Sequence, residues 1–376
     1  MVGGEANAVA STNRTEVHRE LVGLEEGHGC NLVYSFRGVE AHELRNLDEW
    51  LDRKLPGVVG SLTATVISGG ASNIIYEIAR GEHAWVLRRP PNVAISPTAH
   101  NVAREYRVLL ALEGSNVPHP RPLLLCEDAG VIGASFLVME KVDGFTTRPP
   151  RPDFFDRSPN LQRAVGFAFV DALAELWRVD WMAAGLDGYG KPDGFLDRQV
   201  DRWLGQLEQV RNREVRHIDE VASWLREHRP RTQRVGIVHG DYHTNNLIYR
   251  LSQGRVDVAA IVDWEQSTVG DSLVDLGWGL SLWEEPGEPP LLPSDYGLGR
   301  YPGTARRSEL AERFAAKTGA DVSDVDYYRV LALFKLACIL EGSYYRYLTG
   351  ASTNPHHADN REFVPRLVER AWALVA

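Results

Sequence analysis

Residues 238–249 read V-H-G-D-Y-H-T-N-N-L-I-Y, and residues 260–265 read A-I-V-D-W-E. The first run sets His239, Asp241 and Asn246 in the pattern H-x-D-x-x-x-x-N and then leaves as an apolar strand. The second ends a strand on Asp263. A hydroxyl that attacks a phosphorus must lose its proton, so a carboxylate has to stand beside it, and Asp241 is the candidate base. Phosphate charge calls for Mg²⁺, a hard ion with oxygen ligands, and Asn246 and Asp263 supply an amide and a carboxylate oxygen. The loop between Asp241 and Asn246 is short enough to face both into one cavity. Alone, H-G-D and V-D-W are also compatible with two ordinary turns.

The spacing H-x-D-x-x-x-x-N is that of a protein-kinase catalytic loop, and the rest of the chain reads in the matching order. Residues 1–40 open with Gly3, Gly4 and the polar STNRTE, which suggests a partly ordered arm. From Ala41, Leu44, Leu47, Trp50 and Leu51 recur at helical spacing until Pro56 and Gly57. Strand patterns SLTATVIS, IIYEIA and AWVLRR follow, the first two around G-G-A-S-N. That turn is compatible with an ordinary hairpin; the functional reading is that Gly69 and Gly70 let backbone approach nucleotide phosphates, with Ser72 and Asn73 adding polar groups. Arg88 ends the third strand as the candidate phosphate cation. Glu105 lies on a helix over residues 99–112 and is placed to orient Arg88, as a Lys–Glu pair does in protein kinases.

The apolar runs PLLLCED and SFLVMEKVDG read as strands. The second would enter an inter-lobe hinge, where Met139 packs beside a purine and Glu140 to Val142 offer backbone groups. Gly144 then marks the boundary between a nucleotide-binding lobe (41–143) and a helical lobe (144–376). Helical patterns fill the second lobe over 161–177, 195–211, 215–227, 272–283, 304–317, 325–348 and 361–375. Asp271 is expected to cap the helix that follows it, and Asp275 to brace the catalytic loop.

Length and composition fit this picture. A chain of 376 residues with 44% hydrophobic residues buries a substantial two-lobed core. A net charge of −10 with no Lys/Arg run argues against nucleic acid or an anionic membrane as partner. Cys30, Cys126 and Cys338 are too scattered for a disulfide framework, and no apolar run reaches membrane-span length, so a cytoplasmic enzyme is expected.

The ordered strings GGASN, VLRRPP, AREYRVLLAL, FLVMEKVDG, HGDYHTNNLIY and IVDWEQSTVGDSLVDLGW resemble the aminoglycoside phosphotransferase family of small-molecule kinases, over residues 41 to about 350. The fuller strings are most similar to the branch associated with acyl-CoA dehydrogenases, whose members phosphorylate hydroxylated acyl chains. The resemblance implies a bilobal α+β protein-kinase-like fold, with an N-terminal antiparallel sheet carrying one main helix and a larger helical lobe. It implies Asp241 as catalytic base, His239 as the residue bracing its loop, Asn246 and Asp263 as magnesium ligands, and Arg88 and Glu105 as the phosphate-binding pair. ATP, with GTP as the other candidate donor, and Mg²⁺ are the implied cofactors. Two departures are an Arg at position 88, where many relatives have Lys, and a glycine loop without the third glycine of protein kinases. Three functions compete: a kinase for a hydroxyacyl or other small hydroxylated compound, an antibiotic kinase using the carboxylates around 284–288, and a nucleotide-binding pseudokinase. An acidic cavity would accompany the second, and an apolar groove with a basic rim the first.

Overall fold

A computed structural model describes residues 41–69, 73–90, 101–291, 297–352 and 354–376. The expectations for the arm over 1–40, for Gly70 and Ser72, and for the first two residues of the helix over 99–112 lie outside the described residues.

Helix α1 (Ala41–Lys54) buries Leu44, Leu47, Trp50 and Leu51, the apolar face its spacing implies. Strands β1 (Leu62–Gly69), β2 (Ile74–Arg80) and β3 (His83–Arg89) form an antiparallel meander. Helix α2 (Val102–Leu112) follows, and β4 (Pro122–Cys126) and β5 (Phe136–Glu140) complete a five-stranded sheet in the order β1-β2-β3-β5-β4. Strand alternation puts Tyr76, Ile78 and Arg80 on one buried face of β2. The guanidinium of Arg80 would be costly there alone; Asp48 and Asp52 of α1 both pair with it, which ties the helix to the sheet. Asn101 caps α2 by accepting the N–H of Arg104 at 3.0 Å.

Beyond the sheet the chain crosses at Gly144 and Phe145, which pairs with Tyr249 in an isolated bridge. A Cβ on Gly144 would lie 2.3 Å from the Tyr249 carbonyl oxygen, so no other residue fits this crossing. The helical part contains α3 (Phe154–Arg157), α4 (Pro159–Arg178), α5 (Gln199–Glu208) and α6 (Ile218–Glu227). Strand β6 (Val235–Val238) pairs with β9 (Thr268–Asp271), and between them lies the hairpin of β7 (Leu247–Ser252) and β8 (Arg255–Ile261). Its turn uses Gln253 and Gly254, both with positive φ, matching the right-handed twist of the strands. Helices α7 (Leu273–Leu282), α8 (Arg307–Thr318), α9 (Val325–Leu348) and α10 (Asn360–Trp372) complete the chain.

Several helices start later than the sequence pattern suggests, α8 among them, and for α5 and α6 the reason is local. Residues 196–198 form a 3₁₀ turn before α5. His217 has φ +64°, which no α-helix accommodates, so α6 begins at Ile218 rather than Val215. The helical core centres on Phe169, Trp283, Phe314 and Tyr328, all buried. Among the described residues no helix is long and apolar enough to cross a membrane.

Candidate active site

The catalytic loop leaves β6 at His239. Gly240 has φ +84°, and a Cβ there would sit 2.6 Å from the Gln266 carbonyl oxygen. The H-G-D turn therefore depends on its glycine. Asp275, one turn inside α7 and buried, accepts the N–H of His239 at 2.6 Å and of Gly240 at 2.9 Å. The imidazole of His239 spans the same turn, its Nε2 3.0 Å from the Val262 carbonyl and its Nδ1 accepting the Asp241 N–H at 3.3 Å. Those contacts require a neutral ring protonated on Nε2, and burial lowers the pKa of His239 accordingly.

Asp241 is held on both carboxylate oxygens. The indole N–H of Trp278 donates to Oδ1 at 3.1 Å, and Asn246 Nδ2 donates to Oδ2 at 3.1 Å. Burial alone would raise this carboxyl, but the hydrogen bond and charge of His243, with a smaller contribution from Lys335, hold it below the usual value. It is an anion at neutral pH. Tyr242 anchors the loop by donating to the Phe169 carbonyl at 2.7 Å.

Asn246 ends a 3₁₀ turn and accepts the Val262 N–H on its carbonyl at 2.9 Å, while Leu247 pairs with Ile261. The hairpin thus fixes the distance between Asn246 and Asp263, two residues after β8. Asp263 has φ +70° and ψ +60°, a left-handed conformation that Asp tolerates better than most residues. Both donations of Asn246 Nδ2 go to Asp241, to Oδ2 and to the backbone oxygen, which turns its Oδ1 away from that residue. An amide oxygen and a partly exposed carboxylate are hard donors of the type Mg²⁺ takes. Among the described residues no group of three or more His, Cys, Asp or Glu could hold a metal ion. Mg²⁺ with one or two protein ligands plus phosphate and water needs no such cage.

Arg88 and Glu105 are buried, 4% and 2% exposed, so neither is a solvated surface charge. Arg88 Nη1 donates to Glu105 at 2.9 Å; Nη2 donates to Asp263 at 2.7 Å and to Glu265 at 3.0 Å. Burial opposes the Arg88 charge, but Glu105 and Asp263 outweigh it and raise its pKa. Burial pushes the Glu105 carboxyl up to about 7 against the pull of Arg88. The Nε of Arg88 is buried and has no hydrogen-bond partner among the described residues. Asn73 completes the cluster by donating to Glu265 at 2.5 Å.

The structure therefore brings together Asp241, His239, Asn246, Asp263, Arg88, Glu105 and Asn73. Gly69 closes β1 opposite Ile74. Met139 is buried in β5 opposite Val86, and the Glu140 N–H is already donated to the Arg121 carbonyl at 2.9 Å. Val142 follows beyond the strand. Sequence reasoning did not single out Glu265, Trp278 or Lys335. Glu265 stands in the quoted V-D-W-E string and Trp278 ends the longer string that begins there, but neither was given a role; Lys335 sits in a helix with nothing local to mark it.

Beside the catalytic loop lies a cavity of about 740 Å³ whose wall includes Gly240 and Trp278. Five cations line it, Arg104, Lys191, Arg198, Arg202 and Lys335, against one carboxylate, Glu265, which Arg88 already engages. On a chain of net charge −10 this is a local reversal of sign.

Residues 63–310 match the model of the phosphotransferase enzyme family. The chain belongs to that family. Among curated relatives, acyl-CoA dehydrogenase family member 11 of Gallus gallus is 31% identical over 339 residues, which cover 88% of this chain and 43% of the relative. The chain thus spans less than half the length of that relative. A Ralstonia eutropha protein, solved as a candidate aminoglycoside phosphotransferase, is 28% identical, with a TM-score of 0.72 over 88% of this chain and 97% of its own. A thermostable mutant of aminoglycoside phosphotransferase APH(4)-Ia, solved with AMP-PNP and hygromycin B, shares the fold at 16% identity, with a TM-score of 0.56 over 88% of this chain and 99% of its own. This phosphotransferase family member has the kinase-like α+β fold with an N-terminal antiparallel sheet.

Proposed function

We propose that this phosphotransferase is a small-molecule kinase that moves the γ-phosphate of ATP, or of GTP, to a hydroxyl of an anionic acceptor such as a hydroxyacyl compound. The observation that carries the reading is the convergence of Asp241, Asn246, Asp263 and Arg88 at the junction of the sheet and the helical part. Asp241, held anionic with both oxygens oriented, takes the proton of the acceptor hydroxyl as that oxygen forms its bond to the γ-phosphorus. The bond from the γ-phosphorus to the bridging oxygen breaks, and the nucleoside diphosphate leaves with that electron pair. Arg88, oriented by Glu105, faces the phosphates. Asn246 and Asp263 would hold Mg²⁺, which neutralises phosphate charge when bound. In this reading residues 41–143 form the nucleotide lobe, with Met139 and Val142 at the purine, and 144–376 the acceptor lobe.

The basic cavity supports an anionic acceptor over a cationic antibiotic. The acidic loop that an antibiotic would need is occupied internally: Glu288 pairs with Arg307 and with Arg370 at 2.5 Å, and the Arg307 N–H donates to Glu285 at 2.6 Å. The test is turnover of purified protein with MgATP against hydroxy acids and their coenzyme A thioesters, aminoglycosides and macrolides. Transfer to the first group, lost in Asp241→Asn while nucleotide binding persists, is the expected result. Transfer only to a cationic antibiotic overturns the acceptor reading, and unchanged turnover in Asp241→Asn overturns the assignment of the base.

A further inference from the structure

The cavity wall next to Asp241 holds a cation for which the chemistry above has no use. Lys335, in the middle of α9, donates from Nζ to the Gly240 carbonyl at 2.8 Å, the carbonyl of the peptide that leads into Asp241. The same ammonium lies 4.2 Å from the centre of the Trp278 ring and 5.5 Å from that of Trp203. Trp278 is the residue whose indole N–H fixes Asp241 Oδ1. One ammonium therefore touches two of the groups that place the carboxylate, the main-chain peptide before it and the indole on its Oδ1, while Asn246 holds the other oxygen. No ion pair joins Lys335 to a carboxylate among the described residues, so its removal from water is offset by a carbonyl and two aromatic faces.

We propose that Lys335 is a positioning residue for Asp241, its charge holding the Gly240 peptide and the Trp278 indole so that the carboxylate faces the acceptor hydroxyl. The proposal rests on the kinase reading. The charged groups around the ammonium come from every neighbouring element: Asp241 on the loop, Asp275 on α7, Arg202 on α5, and, across the cavity, Arg104, Lys191, Arg198 and Glu265. Burial dominates among these influences and pulls the Lys335 pKa down to about 8, with Asp241 and Asp275 opposing it and Arg202 adding to it. The charge-dependent part of that support is therefore complete below that pH and is lost as pH rises through it, since a neutral amine still donates to the Gly240 carbonyl but no longer draws the indole faces. A lysine serving only to pin α9 against the loop would give no such link between its charge and turnover.

The experiment compares full-length wild type, Lys335→Arg and Lys335→Met, reading MgATP turnover from about pH 6 to about pH 10 together with the melting temperature. Phosphate transfer is followed where an acceptor is found, and release of inorganic phosphate to water otherwise, so no acceptor need be known. Wild-type kcat is expected to fall on the alkaline side with a midpoint near 8. Lys335→Arg keeps its charge and should lose that limb. Lys335→Met should lower kcat at neutral pH by about 10- to 100-fold with the nucleotide KM within about two-fold, since positioning rather than binding is removed. An alkaline limb that persists unchanged in Lys335→Arg overturns the proposal, as does a Lys335→Met enzyme with wild-type kcat. If Lys335→Met does not fold, the Lys335→Arg profile alone decides. Wild type without any turnover overturns the kinase reading, and the proposal with it, whereas an active wild type with indifferent variants overturns the role of Lys335 alone.

Discussion

Replacing Asp275 by alanine isolates what holds the catalytic loop. The carboxylate accepts two backbone N–H groups at 2.6 and 2.9 Å, and both donors are buried within the turn that presents Asp241. Alanine leaves both unsatisfied, and a buried unpaired donor costs about 1–3 kcal/mol. The buried carboxylate is itself partly strained by desolvation, which raises its pKa, so removing the charge returns some of that cost. The net destabilisation expected for Asp275→Ala is therefore about 2–4 kcal/mol, below the simple sum for two lost charged hydrogen bonds. Asp275→Asn keeps one acceptor but turns an NH₂ towards the second donor, so it should lose about half as much. Urea denaturation followed by circular dichroism reads the stability, and the same preparations read turnover. Activity should fall further than stability explains, because a loop released from Asp275 no longer fixes Asp241. Asp275→Ala with stability within about 0.5 kcal/mol of wild type would refute the reasoning, since it would mean the two N–H groups find other partners.

Other consequences are equally direct. Arg88→Lys keeps a charge but cannot reach Glu105 from one nitrogen and Asp263 from another, so the melting temperature should drop and the nucleotide KM rise by roughly ten-fold; an unchanged KM would show that the fork is dispensable. Gly240→Ala should cost at least about 1–3 kcal/mol from its left-handed backbone, and more from the 2.6 Å approach to Gln266, with turnover abolished; a crystal structure with an unmoved loop would contradict this. His239 stays neutral in the fold, while in the unfolded chain it takes a proton near its ordinary pKa of about 6.5. Stability should thus fall as pH drops below that value, and the slope should be shallower in His239→Gln by up to about 1.4 kcal/mol per pH unit. Equal slopes would place a proton on the folded ring.

The architecture was legible because its signals are local. The glycine-interrupted strand runs, the Leu44–Leu51 periodicity and the helical segments of the second lobe each carry their own pattern, and the structure departs from them chiefly at ends, as where the backbone of His217 delays α6. The candidate base and the two candidate ligands were legible for the same reason, since H-x-D-x-x-x-x-N is a constraint within one loop and Asp263 ends the strand that pairs with it. Arg88 and Glu105 were harder. Glu105 shares a helix face with Val102, Val108, Leu109 and Leu112, and a carboxylate inside an apolar stripe is the trace a buried ion pair leaves in sequence.

What escaped reading was assembled from distant segments by packing. Lys335 lies in a long helix with apolar residues on most sides, and nothing in its neighbourhood distinguishes it from a lysine covering hydrophobic surface with its stem. Its position follows only from α9 packing beside the catalytic loop. The cavity cations come from α2, from the segment 191–202 and from α9, each unremarked among the other basic residues of a chain that is acidic as a whole. Net charge therefore gives no sign of the cations that line the cavity beside the catalytic loop. A sum over the sequence weights every charge equally, whereas a bound acceptor feels those within about a Debye length, roughly 8–10 Å at physiological salt. Ion pairs such as Asp48 with Arg80, Asp171 with Arg313 and Asp219 with Arg211 cancel both in the sum and in the field, so the difference in sign comes from where the remaining charges lie.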